Sequence, residues 1–478
     1  MQAPCRFARG PGCTGRRRGR SARQQGQALV YGLFVLVGGL AALFFLFNTG
    51  QLTREKTQLV NTADAVAYSA GVMNARALNH AAYTNRALIA NEVAIAQMVS
   101  LSSWAQYVQT HADSTAQLGC SVPQYAEPTA KAMLMYAPVC IGLYYANAYG
   151  FVEPVAQAVE QATEAAVLPA EAAKLALQAA QATMAAALPG MRQAVMEEVA
   201  RANYADDGEV HVDAVPLADG YLDFDGRPFM HRYSGDERER FKQATLAAAG
   251  LDPFLPTRSW RSESGYPTCV DLGGGHNDRV ERAGGTTLVG YDEWRALDTV
   301  SIWRFRLRGR WVPRCRASEQ ALGEGAQAAN TGDGDGDNGD APGARTNPRA
   351  TAQASSNDWR YSGLPGFFEL SAAARSQAGG DPRLDFAVRV TRAADQTRTS
   401  DARAQVPASA RLNRYAARPA RAVYAGVSAS QAYFERPTPR DDGNAELASL
   451  FNPYWQARLI DASPYLGRAG ALQGVVMP

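Results

Sequence analysis

RQQGQALVYGLFVLVGGLAALFFLF, Arg23 to Phe47, sets a polar, arginine-bearing segment directly against an uninterrupted apolar one. From Ala28 to Phe47 the chain runs twenty residues without a charge, which at about 1.5 Å per residue matches a hydrocarbon core about 30 Å thick. Thirteen Leu, Phe and Val residues lie within it and favour insertion by very roughly 4 to 8 kcal/mol. A cleavable signal has an apolar region of about 7 to 15 residues followed by small residues at the cut. Here the run is longer, and Asn48-Thr49-Gly50 is a poor cleavage site. The stretch therefore reads as a retained transmembrane helix over 27–48.

Working outward toward the amino terminus, Arg6, Arg9, Arg16, Arg17, Arg18, Arg20 and Arg23 come with no acidic residue among them. The whole chain has a formal net charge of +2, so removing those seven leaves about −5 on the remainder. A basic tail, 1–26, beside an apolar run is a topology signal: it stays cytoplasmic and sends everything after Asn48 across the membrane. Membrane lipid is thus an expected partner and nucleic acid is not.

Working toward the carboxyl terminus, the 49–203 region is rich in Ala, Leu, Gln and Arg, with no proline before Pro123, and predicts long helices. Leu52, Leu59, Val66 and Met73 recur every seven residues, with Ala63, Ala70 and Ala77 four residues after the last three, a narrow apolar seam on one face. A membrane helix continuing into such a seam reads as a stalk, the alternative being the core helix of a globular domain. LPA at Leu168 and LPG at Leu188 predict helical hairpins, because proline does not continue a helix. After Asp206 the strings EVHVDAV, YLDFDG, TVSIWRFRLRGRWV, RLDFAVRV and AVYAGVSASQAYF have strand character. Val300 and Ile302 are out of phase with Trp303, Phe305 and Leu307, which predicts a bulge near Ile302. Residues 323–357 carry almost no large apolar side chains and read as a disordered insertion. The expected fold class is α+β: a transmembrane helix, a helical stalk with hairpins, then a mixed domain with an antiparallel sheet over 204–322 and 358–478.

Gly26-Gln27-Ala28-Leu29-Val30 before the apolar run, and Asn61-Thr62-Ala63-Asp64-Ala65-Val66-Ala67 after it, resemble the amino-terminal segment of the TadE/TadG-like proteins of tight-adherence (Flp) pilus systems. GLPGFFEL from Gly363 and SLFNPYWQARL from Ser449 are similar to strings in large TadG-related envelope proteins. The resemblance implies a single-pass protein of the bacterial inner membrane, its bulk periplasmic, that assembles with other pilus or secretion-apparatus proteins and is not an enzyme. In pilin-like relatives Gly26 and Gln27 would flank a processing site, with a glutamate five residues after the glycine. Tyr31 stands there instead, which implies an uncut, anchored component.

An oxidising compartment suits the cysteines beyond the anchor. Cys120 with Cys140, and Cys269 with Cys315, each close a local loop and are the expected disulfides, with buried free thiols as the alternative. Chemistry-bearing patterns are sparse. Asp333, Asp335 and Asp337 alternate as in a calcium loop, but Asn338 and Ala344 stand where glycine and glutamate belong. Gly10 to Gly15 fits a dinucleotide fingerprint without a βαβ unit around it. His276 in GGGH is the one base that a competing reading, an anchored periplasmic hydrolase, would use. Asn79, His80 and Asn85 lack metal-ligand spacing. No catalytic residue, cofactor or metal is assigned. Tyr454, Trp455 and Arg458 offer an aromatic and cationic interaction set, or else Trp455 and Leu459 dock a terminal helix on the core.

Overall fold

With no proline between Gln27 and Pro123, one helix takes nearly all of that stretch: α1, Gln27–Leu118, 92 residues or roughly 140 Å. The structure, a computed structural model, describes residues 27–121, 131–205, 207–263, 277–308, 314–332, 338–377, 381–393, 396–397, 412–416 and 422–472. Two helices follow α1, α2 (Lys131–Ala148) and α3 (Val152–Asn203). The strands β1 (His211–Val212), β2 (Ala218–Asp219) and β3 (Met230–Tyr233) precede α4 (Glu239–Ala249). Next come β4 (Trp260–Glu263), β5 (Asn277–Val289), β6 (Glu293–Arg308), β7 (Arg314–Asn330) and α5 (Pro348–Gln353). The chain closes with β8 (Ser356–Arg360), β9 (Phe367–Leu370), α6 (Ala372–Arg375), β10 (Leu384–Ala393), β11 (Leu412–Ala416), β12 (Ala422–Phe434), β13 (Trp455–Ile460) and α7 (Leu466–Leu472).

This is the expected α+β class, with helices first and antiparallel sheets after them. One sheet has β12 against β10, with β11 and β13 sharing β12's other edge and β1 and β2 sharing that of β10. The second runs β4-β5-β6-β7-β8, antiparallel except for the parallel β7–β8 pair. β3 and β9 form a separate ladder.

The seam expected on α1 is real: Leu59, Ala63, Val66, Ala70 and Ala77 are buried, while Leu52 and Met73 are half-buried. Its role is not that of a stalk. Along its length α1 supplies successive cores: Leu59 to Ala70 face Phe386, Val388 and Tyr424, Leu78 faces Phe229 and Trp455, Leu88 to Val99 face Phe241 and Trp294, and Tyr107 faces Val300 and Ile302. α3 packs antiparallel beside it, Arg192 reaching Asn74, Gln181 reaching Asn85 and Lys174 reaching Glu92.

Three further expectations need correction. α3 does not break at Pro169 or Pro189; the helix runs through both. Pro189 has no N–H for the carbonyl of Ala185, but the Tyr221 hydroxyl donates to that carbonyl at 3.0 Å, and Ala165, four residues before Pro169, is exposed to solvent. The hairpin is instead the antiparallel pairing of α1 with α3. The described residues of 323–357 do not form a disordered insertion: Gly323 to Asn330 finish β7, largely buried, and α5 and the start of β8 follow. Finally, YLDFDG is a turn held by a bridge between Phe224 and Arg227.

The reason β7 lacks bulky side chains is steric. A Cβ on Gly323 falls 2.6 Å from the Cβ of His111, and one on Gly325 meets the carbonyl oxygen of Ser103 and lies 2.5 Å from the nitrogen of Tyr107. At Gly323 and Gly325 the strand lies so close to α1 that there is no room even for a Cβ. The expected bulge is present between Val300 and Ser301, with Leu322 of β7 as the extra residue, so it sits on the partner strand. A single methyl should expose this constraint. Gly325→Ala is expected to lower the unfolding free energy by about 3 kcal/mol, whereas Gly142→Ala, with open space around it on α2, stays within about 1 kcal/mol on the stabilising side; urea denaturation of the detergent-solubilised protein measures both.

Candidate functional site

The most distinctive surface is the first part of α1. Residues 28–47 are exposed throughout, a window there has a mean hydropathy of 2.5 with none of it buried, and α1 is the one helix among the described residues long and apolar enough to cross a membrane. Nothing lies within 4 Å of a Cβ placed on Gly32, Gly38 or Gly39, and the Tyr31 side chain is exposed on this segment. This matches single-pass anchoring. Gly26 lies outside the described residues; Gln27 opens the helix.

Just past the anchor, α1 is seated on β12. Ala63 and Leu59 lie against Gly426, where a Cβ would come 3.0 Å from the carbonyl oxygen of Leu59. Gly71 is as close to Ser430. The Ser428 hydroxyl donates to Asp64 at 2.6 Å. The alanines of Asn61 to Ala67 therefore permit contact of helix and sheet, and the aspartate fixes its register. Below this seat Arg392 approaches Glu55 at 3.3 Å, and the Tyr204 hydroxyl donates to the same carboxylate at 3.1 Å. Burial raises the Glu55 carboxyl above its ordinary range, with Arg392 opposing it, and pushes the Tyr204 phenol higher still. A cleft of about 730 Å³ opens beside this group, lined by Glu197, Arg201, Tyr204, Glu209 and His211.

Deeper in the body, charged groups are enclosed rather than presented. Lys174 contacts Glu92 and Glu171, each at 2.8 Å, donates to the carbonyl of Gly363 at 2.9 Å and lies over the Tyr361 ring. Trp294 Nε1 and the Tyr361 hydroxyl both donate to Glu92. Arg258 grips Asp298 with two hydrogen bonds while Arg282 and Ser103 hold the same carboxylate. Arg192 pairs with Asp219 and lies over the Phe386 ring. Such partnered, sealed groups position helices and strands; a substrate cannot reach them. Among the described residues no group of three His, Cys, Asp or Glu side chains is placed to hold a metal ion.

The other residues singled out in the sequence resolve as follows. Cys120 and Cys140 are joined in a disulfide, Cα–Cα 5.5 Å, tying the end of α1 to α2. Cys269, His276 and Asp333 to Asp337 lie outside the described residues, and the pairing expected of Cys315 with Cys269 falls there too. Trp455 is buried against Phe229 and Phe434. Its peptide N–H donates to Asn79 Oδ1, and Asn79 Nδ2 donates to its carbonyl. Arg458 donates to Gln431, and Tyr454 packs on Phe434. The three residues belong to β13 and its approach: Trp455 is a core anchor instead of an interface hot spot, and the terminal helix expected around Trp455 and Leu459 is a strand, because its backbone pairs with β12. Sequence reasoning passed over His111, buried against Tyr136 with its ring nitrogen bonded to the phenol; a lone histidine in an alanine-rich helix carried no signal.

The anchor and its seat are contiguous in sequence. Residues 26–77 match the family model described as Putative Flp pilus-assembly TadE/G-like. The TadE/G-like segment thus contains both patches on which the resemblance rests, Gly26 to Val30 and Asn61 to Ala67. No curated protein and no solved structure matches the chain.

Two outcomes test the reading of the enclosed groups. Lys174→Met should destabilise by about 3–5 kcal/mol because it strands Glu92, and the double variant with Glu92→Gln should recover most of the loss; equal losses in both would show that the charges are not coupled. For His111, burial and then Arg282 push the imidazole down to about 4. The unfolded chain, near 6.5, takes up a proton that the folded chain refuses between those values. His111 therefore withdraws stability as pH falls from 6.5 to 4, about 1.4 kcal/mol per unit at most. Thermal melts should accordingly show a shallower acid limb for His111→Gln than for wild type over that window, and parallel limbs would contradict it.

Proposed function

We propose that this protein is an inner-membrane-anchored, non-enzymatic envelope component that takes part in assembling a Flp-type pilus or a related secretion apparatus. The observation that carries this is the continuity of the TadE/G-like segment: within 26–77 one helix passes from a fully exposed apolar surface into the seat on β12. A membrane attachment and a folded body are thereby joined through a single rigid element, as suits a scaffold or alignment role. The basic tail on one side of the anchor supports an amino terminus in the cytoplasm and a body in the periplasm. The Cys120–Cys140 disulfide agrees with an oxidising compartment. Enclosure of the body's strongest charged clusters supports a role in holding partners over one in turning over a substrate. Its partners, on this reading, are membrane lipid and other proteins of the apparatus.

The test has two arms. Reporter fusions ending after Asn61 should be active in the periplasm and those ending before Gly26 should not, the reverse pattern overturning the orientation. In a deletion strain lacking surface pili, the full chain should restore them, while a version whose residues 1–48 are replaced by a cleaved secretion signal should not. Restoration by the released body would show that anchoring is not part of the function. Mass spectrometry of the membrane-purified protein should find the arginine tail intact; a terminus at Gln27 would make it a processed pilus subunit.

A further inference from the structure

The polarity of α3 is inverted along its middle. Its inward face buries Val167, Lys174, Gln181 and Leu188 at seven-residue intervals; there the Lys174 ammonium meets Glu92 and the Gln181 amide nitrogen donates to Thr84 and Asn85. Its outward face presents Ala165, Leu168, Ala172, Leu175, Ala179, Ala182 and Ala186, all exposed. Leu168 and Leu175 are 70% and 64% exposed. These positions alternate by three and four residues, the spacing of a coiled-coil seam with alanine at one core position and leucine at the other in its first two repeats. Between Glu164 and Glu197 no exposed residue of α3 carries a charge. A solvent-facing helix in a folded body normally reverses this arrangement.

We propose that the outer face of α3 is the seam of a parallel homodimer, with the same face of a second copy as its occupant. Three features select a second copy. The seam is neutral along its length, so it is complementary to itself and needs no oppositely charged partner. On the anchored reading proposed above, α1 enters the membrane, and α3 is fixed to α1, so two copies present α3 in the same direction at the same height. A two-fold axis along the membrane normal then places each seam residue opposite its equivalent, the register that a parallel coiled coil requires. Beside the seam a groove of about 410 Å³, floored by Val167 and Trp359, carries Glu164 on one rim and Arg360 on the other.

The size of the face explains why the anchor matters. Ala165 to Ala186 spans roughly 33 Å, which at about 10 Å of width gives about 700 Å² buried in total, short of the roughly 1,200 Å² at which stable interfaces begin. Confinement of both copies to one membrane raises their effective concentration enough for a small seam to close.

The experiment uses the full chain in native membranes, co-expressed with two different tags in a Cys5→Ser/Cys13→Ser background. Leu168→Cys and Leu175→Cys, each added singly, should give disulfide-linked products carrying both tags under mild oxidation. Leu251→Cys, exposed on another element, should give at least tenfold less. Adding Ala172→Glu, which sets like charges at the centre of the seam, should reduce the Leu175→Cys product at least tenfold without moving the melting temperature. Absence of the two-tag product at both leucines, a product joined to a different protein, or equal cross-linking at Leu251→Cys would each overturn the proposal.

Discussion

The close approach of α1 to the two sheets governs the rest of the structure. A helix whose backbone lies against a strand excludes side chains from the contact, so small residues must line it on both sides. On α1 these are Ala63, Ala67 and Ala70 over β12, while over β7 it is the backbone itself, at Ser103 and Tyr107, that comes closest. On the strands they are Gly426, Gly323 and Gly325. The bulky residues stand to either side: Phe386 and Tyr424 beside the first contact, Val300, Ile302 and Tyr136 beside the second. One helix thereby serves as the inner wall of nearly every core in the body, and the exposed apolar segment that leaves the body is an extension of that wall.

The same constraint decides what was legible in the sequence and what was not. The membrane-length apolar helix was legible because an uncharged run from Ala28 to Phe47 is long enough to cross a bilayer. The heptad seam of α1, the strands β6, β10 and β12, and the bulge beside Val300 were legible from period alone. The stretch from Gly323 was misleading, since a shortage of large side chains describes both a chain with nothing to pack and one packed too closely to hold them. Pro189 was misread because the hydroxyl that satisfies Ala185 belongs to Tyr221, on a turn with no local connection to it. β13 resembled a helix because Trp455 and Leu459 fall four apart; its partner β12 and the Asn79 side chain that extends its pairing lie elsewhere in the chain.

The candidate site divides along the same line. Its first half, the anchor, is a property of consecutive residues and can be read directly. Its second half is the seat, where Asp64 meets Ser428 and Leu59 meets Gly426 across more than three hundred residues. The alanine and aspartate pattern of Asn61 to Ala67 is conspicuous only as a motif, and it acquires a physical meaning once the glycine and serine of β12 are set against it. The enclosed charges were illegible for a related reason: Glu92, Lys174 and Tyr361 come from three separate parts of the chain, and none is unusual in its own neighbourhood.

Why α3 turns its polar residues inward follows from its composition. An alanine-rich helix packed on another helix meets nearly the same surface after each turn, so apolar contact alone defines its axial position weakly. The polar rungs remove that freedom. Arg192 finds Asn74 and Asp219, Gln181 finds Thr84 and Asn85, and Lys174 finds Glu92, at three levels along the pair. A slip by one turn would leave the buried Glu92 carboxylate without its ammonium, at a cost of several kcal/mol. Such groups add little net stability when paired, since their desolvation offsets most of the attraction, but they penalise every register except one. Placing them inward leaves the outer face of α3 to alanine and leucine. A helix that is apolar outward and polar inward has one register with its own body and a face still uncovered.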